Sequence, residues 1–161
     1  MEKERVRAKR IVVGLDGSDG SRRALSWAID IASALKGEIV AAHAYSFVQY
    51  VPLQSDIAPA PVPISEWSEE LRKTFEEDWC APLRQAGLPY RTLFEEGSPA
   101  SVLMEVARRE NADMIVVGSR GYGGFAELLL GSVSHQLAHH ATLPVVIIPP
   151  ERTQRRQPQP P

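Results

Sequence analysis

A chain of 161 residues has room for one ordinary domain, large enough to bury about two-thirds of its unfolded surface without disulfide staples. Its net charge of −2 hides an uneven distribution: residues 1–10 hold five Lys or Arg against two Glu, and residues 151–161 hold three Arg against one Glu. The body between these ends is therefore acidic, which excludes the basic folded face that a nucleic-acid binder needs. No apolar run nears the roughly eighteen residues of a membrane helix, and Met1-Glu2-Lys3-Glu4-Arg5 is too charged to open a signal peptide, so the expectation is a soluble cytoplasmic protein.

The first ordered element predicted is a strand, Ile11-Val12-Val13-Gly14-Leu15, preceded by a basic extension over residues 1–9 and closed by the turn residues Asp16-Gly17-Ser18-Asp19-Gly20. Ala24, Leu25, Ala28, Ile31, Ala32 and Leu35 then recur at helical spacing, with Ser18 or Ser21 as N-cap and Gly37 placed to end the helix. Glu38 to Ala44 reads as a second strand. Strand, helix, strand implies a parallel sheet with right-handed crossovers, and so an α/β fold.

Residues 46–65, carrying Pro52, Pro59, Pro61 and Pro63, keep neither a strand nor a helix period and read as a long loop at the carboxyl end of strand two. An acidic helix follows over residues 66–86, with Trp67, Leu71, Phe75 and Trp79 on one face and Pro82 near a kink or break. It carries the chain's single cysteine, Cys80, whose acidic neighbours would not activate a thiol. After the turn Gly87 to Pro89 come strand three (Tyr90 to Glu95), a helix from Ser98 to Arg109 opened by Ser98 and Pro99, and strand four (Met114 to Val117). The last helix spans Gly131 to Ala141, and the last strand Val145 to Ile148, stopped by Pro149 and Pro150. Residues 151–161 hold no large apolar side chain and read as a disordered tail, leaving one domain over 10–150.

The densest chemical signal is the glycine-rich run from Gly118 to Ser132, directly after strand four. Glycines let backbone approach a ligand closely, and Gly131-Ser132 sit where the next helix offers unpaired amides and the positive end of its dipole; phosphate suits both. No lysine follows these glycines, so a P-loop is absent, and Gly121 to Ala126 matches a dinucleotide fingerprint by letter but lacks a downstream strand with a ribose-binding acid. His135 and His139 have the i, i+4 spacing of a metal pair, yet no glutamate or cysteine completes a site, and a solvated helix face is the simpler reading. No nucleophile elbow surrounds Ser132 or Ser134.

The spacing Gly118, Gly121, Gly131, Ser132 resembles the ATP-binding signature of the universal stress protein family. Ile11 to Ser18, Glu96-Gly97-Ser98-Pro99 and Leu143 to Ile148 resemble further landmarks of that family, in order, over residues 10–149. The resemblance implies a five-stranded parallel sheet in order 3-2-1-4-5 with helices on both faces, the ligand lying across the carboxyl ends of strands one and four. Gly14, Leu15 and Asp16 would face the nucleoside and Ala44 would lie beside adenine. Val117, Gly118, Ser119, Arg120, Gly121, Gly131, Ser132 and Val133 would surround ribose and phosphates. For Asp16 alone, helix capping and ligand contact stand level, and the resemblance favours contact. Gly14 departs from the family, a member of which has proline there.

The implied cofactor is ATP, with ADP or AMP as alternatives and Mg²⁺ or Mn²⁺ held mainly by the phosphates. No residue is placed as a catalytic base, so the expectation is a nucleotide-sensitive stress regulator or protective factor rather than an enzyme. The rivals are an adenylating ATP pyrophosphatase, whose S-G-G-x-D-S turn is absent, and a stress-protein interaction module that binds no nucleotide. An unprotected last strand, 144–149, predicts a homodimer through that edge.

Overall fold

The computed structural model describes residues 10–46, 64–121 and 130–151. The expectations for the basic extension, most of the long proline-containing loop, the middle of the glycine-rich run and nearly all of the C-terminal tail lie outside these residues. Within them, five strands form one parallel sheet: β1 (Arg10–Gly14), β2 (Glu38–Tyr45), β3 (Tyr90–Glu96), β4 (Met114–Gly118) and β5 (Val145–Ile148), ordered β3-β2-β1-β4-β5. This is the arrangement the resemblance implied. The register runs Val12↔Val40 between β1 and β2, Val12↔Ile115 between β1 and β4, and Val116↔Val146 between β4 and β5. The order reverses at β1, so β1 and β4 diverge into helices on opposite faces, which opens a crevice at their carboxyl ends.

One face packs beneath α1 (Asp19–Leu35), with Ile11, Val13, Ala24, Leu25, Ala28, Ile39 and Phe75 fully or nearly fully buried. The other packs beneath α4 (Pro99–Arg109) and α5 (Ser132–His140), around Val12, Val40, Leu103, Val106, Ile115 and Leu137. Burial on both faces explains why the central strands read as continuous apolar runs rather than alternating ones.

Ser18 is the N-cap of α1, its Oγ accepting from Ser21 N at 3.2 Å. The left-handed residue at the other end is Lys36, φ 54°, rather than Gly37, whose amide instead reaches back to Ala32 O. The acidic helix is three pieces: α2 (Ile64–Thr74), a π-helical turn (Phe75–Trp79) and α3 (Ala81–Ala86). The break falls at Cys80, and Pro82 serves the first turn of α3 instead of kinking a continuous helix, because a proline lacks the amide that the preceding turn would need. Arg84 bridges the break, donating to Glu76 O at 2.7 Å and Glu77 O at 2.5 Å. Among the described residues no helix is long and apolar enough to cross a membrane.

Candidate nucleotide-binding site

The parallel pairing of β1 and β4 brings their two exit turns together. Asp16, two residues beyond β1, is half-buried, and its Oδ1 accepts from Ser18 N at 3.0 Å and from Ser18 Oγ at 2.5 Å. Ser18 Oγ thus donates to the carboxylate while accepting from the first turn of α1, so Asp16 supports the helix cap without being the cap. Its Oδ2 lies against Gly121, where an added Cβ would overlap it. The carboxylate therefore stands between the turn after β1 and the turn after β4. The local reading and the site reading of Asp16 coexist.

The glycines divide by what they touch. A Cβ on Gly118 would stand 2.6 Å from Gly20 C and 2.8 Å from Gly20 O, and one on Gly20 would overlap Arg120 O. Gly118 is thus required by the approach of α1 to β4 within the protein itself. Gly20 read as turn chemistry in sequence but lies inside the first turn of α1, where a residue of poor helix propensity signals such an approach. Gly131 is different: among the described residues the nearest neighbours of an added Cβ would be Arg120 Cα and Ser119 O at 3.4 Å, ordinary contact.

Ser119 ties the two ends of the glycine-rich run. Its amide donates to Ile148 O at 2.8 Å, extending the β4–β5 ladder, and its carbonyl accepts from Gly131 N at 2.6 Å and from Ser134 Oγ at 2.8 Å. The buried Ser134 hydroxyl also lies 3.0 Å from Gly131 O, so its one proton is shared between the two carbonyls. These bonds seat Gly131 as the N-cap of α5 with no side-chain cap, so among the described residues the amides of its first turn, beginning at Ser132 and Val133, are left for water or a ligand. Sequence reasoning set Ser134 aside with its neighbour; its signal was its place at the third residue of the helix.

On the α4 and α5 side, Ala44, Val117 and Val133 belong to one apolar group with Leu103, and Gly14 adjoins them: a Cβ there would meet Leu103 Cδ1 at 2.8 Å and Val117 Cγ1 at 3.1 Å. Leu15 goes the other way. Its side chain is buried under α1, its amide donates to Ala42 O at 2.9 Å, and its carbonyl accepts from His43 Nδ1 at 2.6 Å. Of the residues named from sequence, the structure gathers Gly14, Asp16, Gly118, Ser119, Arg120, Gly121 and Gly131 around the two turns. Ala44, Val117 and Val133 form the small apolar surface, Ser132 opens α5, and Leu15 acts as a core anchor. A groove of about 480 Å³ between Met104, Arg108, His140 and Leu143 lies at the helices' C-terminal ends, away from this crevice, and shares no residue with it.

The family model for the universal stress protein family matches residues 7–149. The universal stress protein YxiE of Bacillus subtilis is 30% identical over 146 residues, spanning 86% of this chain and 97% of that protein. Among solved structures, a universal stress protein in complex with cAMP superposes with a TM-score of 0.65 at 28% identity, covering 88% of this chain and 96% of that one. The hypothetical protein MJ0577 superposes with a TM-score of 0.71 at 22% identity over 92% of this chain and 100% of its own. With the sheet order, the crevice between β1 and β4 and a family match over nearly the whole described chain, this protein belongs to the universal stress protein family.

Proposed function

We propose that the protein binds an adenine nucleotide, ATP above ADP or AMP, in the crevice between β1 and β4, and acts as a nucleotide-sensitive stress-response regulator. The observation that carries this reading is Gly131: among the described residues nothing stands nearer than 3.4 Å to a side chain added there, yet glycine stands at the start of α5, which has no side-chain cap. A backbone that must admit a phosphate accounts for that glycine, and the first-turn amides and dipole of α5 favour the same anion. The complex of a family relative with cAMP supports an adenine ligand.

In this reading adenine rests on Ala44, Val117 and Val133, Asp16 accepts from ribose or base, and the backbone of Gly118 to Gly121 with Gly131, Ser132 and Val133 takes ribose and phosphates. Mg²⁺ or Mn²⁺ is held mainly by the phosphates. Among the described residues none is assigned as a base for the γ-phosphate, and slow hydrolysis is the expected outcome. The working form is a homodimer through β5. Ile115 N donates to Pro144 O at 3.0 Å and Ser119 N to Ile148 O at 2.8 Å, which turns the polar groups of Val146 toward β4 and, by alternation, those of Val145 and Ile147 outward along the sheet edge.

Denaturing protein purified without added nucleotide and weighing what is released tests the ligand. An adenine nucleotide in near-stoichiometric amount supports the reading; a different cofactor in that amount refutes it.

A further inference from the structure

Below the Asp16 turn lies a group that nucleotide binding does not use. His43, on β2, is 3% exposed. Its Nδ1 sits 2.6 Å from Leu15 O, and a carbonyl only accepts, so Nδ1 carries the proton. Nε2 is buried with no hydrogen-bond partner among the described residues. The ring is enclosed by Phe75, Trp79 and Phe94, with centroids at 5.9, 5.1 and 5.5 Å, Trp79 meeting it edge-on at 82°. Trp79 reaches the same turn from the π-helical segment: a Cβ on Gly17, whose φ is 81°, would stand 2.6 Å from Trp79 Cζ2. His43 therefore grips the carbonyl before Asp16, and Trp79 lies on the residue after it.

We propose that His43 and Trp79 are positioning residues that clamp the Leu15–Ser18 turn and so fix the Asp16 carboxylate, and that mild acid releases this clamp. Protonating Nε2 would place a charge and an unmatched N–H among aromatic rings, a cost relieved only by opening the cluster. Burial holds the imidazole below its ordinary 6.5, outweighing the Leu15 carbonyl and Asp16, which pull the other way. Among the described residues Asp16 of the turn is the charge that acts on it. Of the elements packed against it, α2 brings Arg72, whose guanidinium lies 5.2 Å from the Phe94 ring centroid, β3 carries Glu95 and Glu96 just after Phe94 in sequence, and the π-helical segment carries the exposed Glu76, Glu77 and Asp78. The open cluster binds the proton more readily than the closed one, so the closed form is fully favoured above pH 6.5. Below that value it loses up to about tenfold per pH unit, until the lowered value in the closed form is reached. The clamp stands on these contacts alone; its effect on ligand affinity rests on the nucleotide reading.

Amide exchange protection of Asp16, Gly17 and Ser18 in the full-length protein, measured by NMR from pH 7.5 to 5.0, tests the clamp without ligand. Parent protection should be constant above pH 6.5 and fall below it. His43→Asn, which can still donate to Leu15 O but does not titrate, should hold protection flat across the range. Trp79→Phe should lower it at Gly17 and Ser18 at every pH. Calorimetry with MgATP at pH 7.5 and 5.5 adds the second arm: parent affinity should fall at least threefold in acid and that of His43→Asn should not. PH-independent protection in the parent, or an Asn variant that follows the parent, overturns the clamp. Absence of MgATP binding at pH 7.5 would count against the nucleotide reading alone, and the exchange data would still decide the clamp.

Discussion

Two glycines of the same spacing should respond oppositely to the same substitution. In Gly118→Ala the new Cβ lies 2.6, 2.8 and 2.9 Å from C, O and Cα of Gly20, all backbone, whereas carbon atoms rest at about 3.5–4.0 Å. Neither backbone is free to swing aside, so α1 must lift from β4 by roughly 1 Å, and overpacking of this kind costs about 1–3 kcal/mol. At about 2–4 °C per kcal/mol for a domain of this size, the melting temperature should drop by about 2–12 °C. In Gly131→Ala the new Cβ meets nothing nearer than 3.4 Å among the described residues, and φ of −76° suits alanine, so stability should stay within about 0.5 kcal/mol of the parent. Its ATP affinity should nevertheless fall about tenfold, about 1.4 kcal/mol, because the methyl group occupies the approach of phosphate to the amides of α5. Scanning calorimetry without ligand and titration calorimetry with ATP separate the two effects. If Gly118→Ala melts with the parent, or Gly131→Ala falls as far as Gly118→Ala does, the division between packing glycine and ligand glycine is wrong.

Asp16→Ala should weaken ATP about tenfold or more, while Ser18 remains as N-cap and limits the stability loss to about 0.5–2 kcal/mol; unchanged affinity in the folded variant removes Asp16 from the site. Ile147→Pro deletes an outward amide of β5 and should give a folded monomer by light scattering, whereas Val146→Pro strikes the β4 ladder and should lower the melting temperature; a dimeric Ile147→Pro protein would contradict edge pairing. Phosphate release from ATP should stay well below about one per second. Cys80, fully buried with its thiol pushed up to about 12 chiefly by burial, should resist a disulfide reagent at pH 8 until the protein unfolds, and prompt labelling would contradict that burial.

The sheet was legible because its strands are short apolar runs ended by turn residues. Residues 11–14, 38–44, 90–95, 114–117 and 145–148 all fall in strands, while Leu15 leaves β1 and gives its amide to Ala42 O from outside it. Strand order was not in the periodicity; it came with the family spacing of Gly118, Gly121 and Gly131. The π-helical turn was invisible because it adds one residue to a helical period without altering residue types; the bond from Cys80 N to Phe75 O at 3.1 Å defines it, and it carries Phe75 and Trp79 against His43. Gly20, Ser134 and His43 were undervalued for a shared reason. Each acts through a contact distant in sequence, with Gly118, Ser119 and Leu15 respectively, which no local pattern encodes.

The central claim, that the crevice between β1 and β4 takes an adenine nucleotide, is met most directly by titrating the nucleotide-free, folded parent protein with MgATP in a calorimeter at pH 7.5. One site per chain with a dissociation constant roughly in the micromolar range, displaced by AMP, is the expected result. A protein that is fully folded by circular dichroism yet takes up no heat with ATP, ADP or AMP at roughly millimolar concentration would contradict it.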